Sequence, residues 1–259
     1  MSPWLLSNFS SLEFNNSAGS RRSVWLKLAG VCQLALPQSC AFCAAPCGSL
    51  LVCAACCADL PRIPGACPQC ALPAPGGVVC GACLVHPPPF AAAFTAFVYA
   101  FPLDRLLQAF KYGGRLSHAD FFAEALSARV ARRPAGTPWP DALVALPLAP
   151  ARQRARGFDQ ATEIARRVAR ITGVTMMAGL HRTRDTPAQA ALPWKERARN
   201  VRGAFAAEPS LGGRRIAIVD DVMTTGATLA SAAGAVLRAG GVGVEAWAVA
   251  RTLPPAQLL

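Results

Sequence analysis

The chain has 259 residues, of which 53% are apolar and only 15% charged, so its composition excludes an extensively disordered protein. This length accommodates one medium domain with a small appended module. The formal net charge is +12, and residues 151–215 hold 14 Lys/Arg against 5 Asp/Glu, a net +9. Such a basic zone indicates either phosphate-bearing partners or a solvated arginine face, and charge alone does not choose between them.

The N-terminal segment carries little pattern. We expect residues 1–23 to form a disordered tail and the following residues, up to about 36, to form a short amphipathic lead helix. No apolar run is long enough to span a membrane, and Lys27 interrupts the apolar stretch that could be mistaken for a signal peptide. The sequence therefore predicts a cytoplasmic protein.

Eight of the eleven cysteines form four C-x-x-C pairs, and the second half of this segment repeats the first. Nine residues separate the two pairs within each half, and each cysteine recurs 27 positions later. Two thiolates three residues apart in a tight turn can face one ion, and four close the tetrahedral shell of Zn²⁺. The spacing predicts tandem zinc ribbons, with one or two structural zinc ions held by Cys40, Cys43, Cys53, Cys56, Cys67, Cys70, Cys80 and Cys83.

A set of disulfides is the alternative interpretation of so many cysteines. The loops between the pairs are rich in Gly and Pro and could not build a core without metal, which favours zinc. The spacing leaves open whether the sites use consecutive pairs or interleave them in a cross-braced arrangement.

After Pro87–Pro89 the composition changes, and we place a boundary near residue 90. Apolar runs and helical periodicity then alternate along the chain. Strands are predicted at 94–100, 142–148, 215–220 and 242–250, and helices at 103–110, 117–133, 158–171 and 226–239. Uniformly apolar strands that alternate with helices predict an α/β domain with a parallel sheet covered on both faces. In such sheets ligands bind at the carboxyl ends of the strands.

The most informative segment follows the strand at 215–220. Asp220 and Asp221 come at its carboxyl end, and a Thr/Gly turn then opens a helix. Helix N-termini bind phosphate well, and paired carboxylates can accept hydrogen bonds from ribose hydroxyls. One loop could thus hold both ends of a ribose 5-phosphate. The alternative is that these side chains only cap the helix, but capping needs one such residue, whereas two acids and three threonines surround Gly226.

This segment resembles the PRPP (5-phosphoribosyl-1-diphosphate) motif of type I phosphoribosyltransferases. More closely, the chain from about residue 32 resembles the ComF family of competence protein F-like proteins. The supporting motifs are the tandem C-x-x-C module, the F-K-Y-G-G-R run at 110–115, the R-G-F-D-Q run at 156–160, the R-D-T-P-A-Q run at 184–189 and residues 197–205. Asp159 departs from the family, which usually has Asn there, but Asp can also cap the helix that follows.

The resemblance implies residues 24–89 as lead helix and double zinc ribbon, and residues 90–259 as a phosphoribosyltransferase-like domain. It implies that Asp220 and Asp221 bind the ribose hydroxyls, directly or through Mg²⁺, and are the candidate catalytic residues. The 5-phosphate would be bound by Thr224, Thr225, Gly226, Ala227 and Thr228. Arg152 and Arg156 would lie near the diphosphate, and residues 184–202 would form a flap over the site.

Three functions compete at this point. The chain could be an active phosphoribosyltransferase of nucleotide salvage, although no residue stands out as a general base. It could instead be a non-catalytic PRPP sensor that binds single-stranded DNA during natural transformation. The basic stretch supports DNA binding only weakly, because its aromatics are limited to Phe158, Trp194 and Phe205. The family also implies a DNA-uptake helicase as a partner. A pocket without any ligand is the third option, which the intact loop disfavours.

Overall fold

The computed structural model describes residues 38–184 and 200–254. The expected tail, the lead helix and most of the expected flap lie outside these ranges. No helix in the described part of the chain has both the length and the apolarity to cross a membrane.

The cysteine-rich segment is a structural repeat with the same 27-residue period as the sequence. The short helix α1 (Ala54–Ala58) in the first half corresponds to α2 (Gly81–Val85) in the second. The isolated bridge Ser39↔Pro46 likewise corresponds to Ala66↔Pro73. Since each half forms its own turn and helix, each is one complete ribbon-like unit.

The following residues form a five-stranded, fully parallel sheet with the order β1-β7-β6-β2-β3. Its strands are β1 (Ala92–Val98), β2 (Ala142–Ala145), β3 (Thr175–Met176), β6 (Arg215–Met223) and β7 (Gly243–Arg251). A separate antiparallel pair consists of β4 (Leu180–Arg182) and β5 (Phe205–Ala207). The sequence-based prediction of a parallel α/β domain behind a tandem cysteine module is confirmed.

Helices connect the strands and cover the sheet. They are α3 (Leu103–Gly113), α4 (His118–Ala131), α5 (Pro150–Arg156), α6 (Gln160–Thr172) and α7 (Ala227–Arg238). Successive side chains of a strand point to opposite faces, so β6 serves two cores. Ile216 and Ile218 belong to the cluster that includes the buried side of α7, whereas Ala217 and Val219 belong to the cluster with α4 and α6. Both faces of the sheet are thereby buried, as parallel sheets require.

The cysteine module packs against this domain rather than standing apart. Cys40, Val52 and Leu60 share one buried cluster with Phe97 and α4. Main-chain bonds also join the two parts: Val98 N–H donates to Pro61 O at 2.7 Å, and Ala93 N–H donates to Pro68 O at 2.8 Å. Strand β1 thus fixes the module at the edge of the sheet.

The predicted helices and strands are present, but the strands expected at 94–100 and 142–148 end at Val98 and Ala145, and β3, β4, β5 and α5 were not predicted. The strand predicted to end at Asp220 continues to Met223, because β7 pairs with it as far as Met223↔Arg251. Both acids therefore lie within the last four residues of β6, where hydrogen bonds to the neighbouring strand β7 fix the backbone.

Candidate ligand-binding and metal-binding sites

Two groups of four thiols are each gathered tightly enough to hold a metal ion, with all sulfur atoms within 4.8 Å of one another. We call Cys40, Cys43, Cys53 and Cys56 the first cluster, and Cys67, Cys70, Cys80 and Cys83 the second cluster. Each cluster uses the two consecutive pairs of one repeat, so the arrangement is sequential rather than cross-braced. The ten cysteines in the described ranges are free thiols, which argues against the disulfide alternative.

Main-chain N–H groups favour the thiolate form in both clusters. Cys53 N–H donates to Cys40 Sγ at 3.3 Å, and Cys80 N–H donates to Cys67 Sγ at 3.4 Å. Burial alone would raise the pKa of Cys40, but the backbone N–H groups outweigh it and lower the pKa to about 6. The same balance lowers the pKa of Cys67 to about 7. Neighbouring thiols raise the pKa of Cys56, and burial raises the pKa of Cys83, so the pKa shifts do not all point one way. The gathering of four sulfur atoms in each cluster is what fits the closed shell of a zinc ribbon.

A cleft with a volume of about 250 Å³ opens at the carboxyl ends of β6, β2 and β7. It brings together six of the nine residues predicted to bind the sugar phosphate. These are Asp220, Asp221, Thr224, Thr228, Arg152 and Arg156. Acids, hydroxyls and guanidinium groups from distant parts of the chain thus line one cavity of a size suited to a small phosphorylated ligand.

The two acids of β6 have different environments because adjacent strand residues face opposite ways. Asp221 meets Lys111, at the end of α3, with Nζ and Oδ2 2.9 Å apart. Burial and the adjacent Asp221 charge raise the pKa of Asp220 well above its usual range, although Lys111 partly offsets this. Asp220 accepts the N–H of Asp221 at 2.8 Å and lines the cleft. A cation or a set of hydroxyl donors would relieve the unfavourable pairing of these carboxylates.

The loop of residues 224–228 connects β6 to α7. Gly226 is the N-cap residue of α7 with a φ of +83°, a left-handed conformation that favours glycine. Gly226 lines a small cavity beside the main cleft, together with Thr224 and Thr228. Thr225 Oγ1 instead accepts the N–H of Ala227 at 3.2 Å. Capping therefore accounts for Thr225, whereas Thr224 and Thr228 face the ligand cavities.

The opposite wall of the cleft is built by α5 and the start of α6. Arg152 and Arg156 lie on α5, and Arg156 Nη1 donates to Gln160 Oε1 at 2.8 Å. Asp159 caps α6, accepting the Thr162 N–H through Oδ1 and the Leu148 N–H through Oδ2, both at 2.9 Å. The predicted capping role of Asp159 is confirmed, and its second bond fixes the turn after β2 that carries α5.

Sequence reasoning assigned no role to several residues that complete the cleft. They are Tyr99, Lys111, Tyr112, Arg182 and Thr252. Tyr112 lies under Arg156, whose guanidinium carbon is 5.1 Å from the ring centroid. Lys111 and Tyr112 belong to the motif at 110–115 that supports the family resemblance, and this was the only signal in the sequence that could have marked them.

A buried arginine lies beneath the cleft. Arg251, the last residue of β7, donates through Nη1 to the carbonyl oxygens of Met223, Thr224 and Thr252. Its Nε donates to Cys70 O, in the second cluster, at 2.9 Å. Burial lowers the pKa of Arg251 to about 10, so it remains a cation at neutral pH.

The basic stretch 151–215 does not form one surface. Arg152, Arg156 and Arg182 line the cleft, whereas Arg167 pairs with Glu163 and Asp120 on the flank of α6. Phe205 is buried, so it offers no ring for stacking. Trp194 lies outside the described residues. The net charge of this stretch is therefore divided between the candidate ligand site and ordinary ion pairs.

A parallel sheet with a candidate ligand cleft at its carboxyl edge, behind two four-cysteine units, is the architecture of a phosphoribosyltransferase-type domain with a tandem ribbon module. Comparison with known proteins then gives the family. The chain is 36% identical over 170 residues to the DNA utilization protein YhgH of Escherichia coli (strain K12), covering 64% of this chain and 75% of that protein. It is 31% identical over 159 residues to Competence protein F of Haemophilus influenzae, covering 59% and 69%. The chain belongs to the family of these proteins, the ComF family.

No family model matches the chain. Among solved structures, the glutamine PRPP amidotransferase from B. subtilis complexed with ADP and GMP is similar over 54% of this chain and 30% of that one. The identity there is 21% and the TM-score is 0.36.

Proposed function

We propose that the cleft binds PRPP or a related ribose 5-phosphate together with Mg²⁺. The observation that carries this proposal is the convergence of Asp220 and Asp221, the 224–228 loop, and Arg152 with Arg156 on one cavity. Acids suit ribose hydroxyls or a hard cation, a helix start suits the 5-phosphate, and arginines suit the diphosphate.

The charged groups of the cleft suit a ligand that carries phosphate groups on both sides of an uncharged sugar. Positive groups come from two separate elements, namely the start of α7 and the two arginines of α5, and the acids come from the end of β6. Bound Mg²⁺ would supply a positive charge that offsets the leaving diphosphate. Asp220 and Asp221 are our candidate catalytic residues if transfer occurs, since they would adjoin the sugar ring where positive charge develops.

We also propose that each cysteine cluster binds a structural Zn²⁺. Four sulfur ligands complete a tetrahedral shell and leave no coordination position for water, so the role is folding rather than catalysis. The short helices and Gly/Pro turns of residues 38–89 bury little apolar surface of their own, which makes the metal the main source of local stability.

Calorimetric titration with Mg²⁺ and PRPP tests the ligand. We expect saturable binding by the wild type and its loss in Asp220→Ala/Asp221→Ala, with Asp104→Ala, an acid on α3, as the matched control. Unchanged affinity in the double variant would refute the site. Release of diphosphate with a panel of nucleobases and ammonia then separates functions: release that depends on one acceptor shows a transferase, and binding without release shows a sensor.

The names of the relatives, together with one surface, favour a second role in DNA uptake and natural transformation. Arg105, Gln108 and Tyr112 follow one another at helical spacing and are exposed on α3, and the exposed Phe101 lies in the turn that precedes this helix. The two aromatic side chains are 76% and 75% exposed. Exposed rings interleaved with cations and amides are typical of surfaces that stack the bases of single-stranded nucleic acid. We propose that this α3 stripe, whose Tyr112 end borders the cleft, binds single-stranded DNA.

Fluorescence anisotropy with a labelled oligothymidine strand tests the α3 stripe. We expect Phe101→Ala to weaken binding by about tenfold, the usual loss for one stacked base, and the wild-type affinity to fall as salt rises. Leu84→Ala, an exposed residue of α2, is the control. Phe101 does not line the cleft, so PRPP affinity should persist. Affinity that is insensitive to both salt and Phe101 would refute the proposal.

A further inference from the structure

The link between the second cluster and the 224–228 loop is a single side chain. Arg251 is only 1% exposed, and it ends β7 directly opposite Met223 of β6. The contact could not be predicted from the sequence, because Cys70 lies 181 residues before Arg251. Only the sheet order, which places β7 between β1 and β6, brings the two segments to the same guanidinium.

The guanidinium of Arg251 donates hydrogen bonds to two separate parts of the chain. Its Nε donates to Cys70 O at 2.9 Å, within the second cluster. Its Nη1 donates to Met223 O at 3.0 Å and to Thr224 O, at the point where β6 becomes the 224–228 loop. Because the guanidinium is planar and rigid, a shift of the Cys70 backbone must either move the loop or break a bond.

Breaking such a bond is costly. Hydrogen bonds from a charged donor are stronger than neutral ones, and a buried carbonyl left without its donor loses the full solvation of that group. Water cannot readily replace the side chain at a site that is 1% exposed. The position of the second cluster and the conformation of the 224–228 loop are therefore energetically connected.

The cation beside the first cluster does not make the corresponding bridge. Arg62 donates to the carbonyl oxygens of Cys57, Ala58 and Leu60, and it lies over the Phe97 ring of β1, away from the 224–228 loop. The 27-residue repeat thus gives an internal control: two equivalent clusters, of which the second one contacts Arg251.

We propose that Arg251 is a positioning residue that couples the second cluster to the 224–228 loop, so that metal at that cluster and ribose 5-phosphate at the loop raise each other's affinity. This inference rests on the proposed function, since it assumes that the loop binds the phosphate. By linkage the two effects must be equal in size, and couplings of this kind typically change affinity by about 5- to 150-fold.

Metal release tests the coupling without any activity assay. Zinc-loaded Cys43→Ser retains only the intact second cluster, and Cys70→Ser retains only the intact first cluster. A chromogenic chelator measures zinc release from each variant with and without saturating ribose 5-phosphate and Mg²⁺. We expect the chelator concentration that removes half of the zinc at equilibrium to rise about fivefold or more for Cys43→Ser when the ligand is present, and to stay unchanged for Cys70→Ser. Equal effects on both variants, or none on either, would overturn the coupling.

Substitution of Arg251 tests whether this residue carries the coupling between the second cluster and the 224–228 loop. Arg251→Met removes the donors, and Arg251→Lys keeps the charge but cannot span both partners. Introduced into the Cys43→Ser background, both should abolish the effect of ribose 5-phosphate on zinc release. Arg133→Met is the matched control, because Arg133 is another buried arginine, paired with Glu245 away from the cleft. Full coupling in Arg251→Lys would overturn the role of the bridging geometry.

The reciprocal titration separates the two proposals. Ribose 5-phosphate affinity should fall about tenfold in Cys70→Ser but not in Cys43→Ser. If the wild type fails to bind ribose 5-phosphate or PRPP at all, the proposed function is wrong. If the wild type binds the ligand and both cysteine variants bind it equally well, the function stands and the coupling is refuted. Should the Arg251 variants not fold, the two cysteine variants still decide the outcome with the native arginine in place.

Discussion

Replacement of Lys111 by methionine removes the cation that faces the acids of β6. Lys111 Nζ lies 2.9 Å from Asp221 Oδ2, and the two side chains are only 19% and 13% exposed. Loss of one partner from a fully buried pair costs about 3–5 kcal/mol, because the other charge is left uncompensated. Residual solvent access reduces this, so we expect Lys111→Met to lower the free energy of unfolding by about 2 kcal/mol at neutral pH.

The loss of unfolding free energy in Lys111→Met should depend on pH, and the surroundings of Lys111 and Asp220 determine whether it grows or shrinks as the pH rises. Burial opposes protonation of Lys111, but the charge of Asp221 outweighs it and raises the lysine pKa above its usual value. The wild-type ammonium therefore stays charged throughout the range from pH 5 to 8. Lys111 partly offsets the burial and the Asp221 charge that raise the pKa of Asp220, so in Lys111→Met the ionised Asp220 destabilises the fold more strongly. Protonation of Asp220 as the pH falls relieves this, so the loss should be larger at pH 8 than at pH 5.

Urea unfolding of wild type and variant at both pH values measures this difference. Arg105→Met, on the exposed side of the same helix, is the control and should change stability by less than about 0.5 kcal/mol. An equal loss at pH 5 and pH 8 would show that Lys111 contributes packing rather than charge. No loss at either pH would refute the electrostatic argument altogether.

Three further predictions concern the same structure. Asp220→Asn should abolish PRPP binding but raise the stability of the free protein by about 1 kcal/mol, because the raised pKa of Asp220 means that its charge destabilises the fold; thermal unfolding that shows destabilisation would contradict this. Gly226→Ala should destabilise by about 1–2 kcal/mol and weaken ligand binding, since φ is +83° and the new Cβ would lie 2.9 Å from Met223 Cε; calorimetric affinity equal to wild type would count against a close approach of phosphate. Strong zinc chelators should lower the melting temperature and expose residues 38–89 to limited proteolysis, and elemental analysis that finds no zinc in fresh protein would refute the metal assignment.

The local elements and the cysteine clusters were predictable from the sequence because short-range patterns encode them. The 27-residue repeat marked the eight ligands and distinguished Cys56 from Cys57, and apolar periodicity marked α3 and α6. The end of β6 was predicted three residues early, since the sequence shows acids there but not the neighbouring strand that continues the ladder to Met223.

Residues that act by meeting a distant partner could not be predicted. Lys111 faces Asp221 only because α3 packs on the same sheet face as the odd-numbered residues of β6. The arginines of 151–215 looked alike in sequence, yet Arg156 lines the cleft while Arg167 forms surface ion pairs. Two of the three aromatic residues of the basic stretch, Phe158 and Phe205, are half-buried and buried, and exposed rings lie instead on α3 and just before it.

By itself the sequence determined the candidate sites that are contiguous in the chain, namely the two cysteine clusters and the acid–threonine loop after β6, because neighbouring residues in a turn or at a strand end must lie together. The tertiary structure alone decided which distant groups complete them. The parallel order β1-β7-β6-β2-β3 brings α5 across the cleft from the 224–228 loop and places Arg251 between that loop and the second cluster. The physical reason is that strand order depends on which strands, far apart in the chain, pair with one another, and no local segment encodes that pairing.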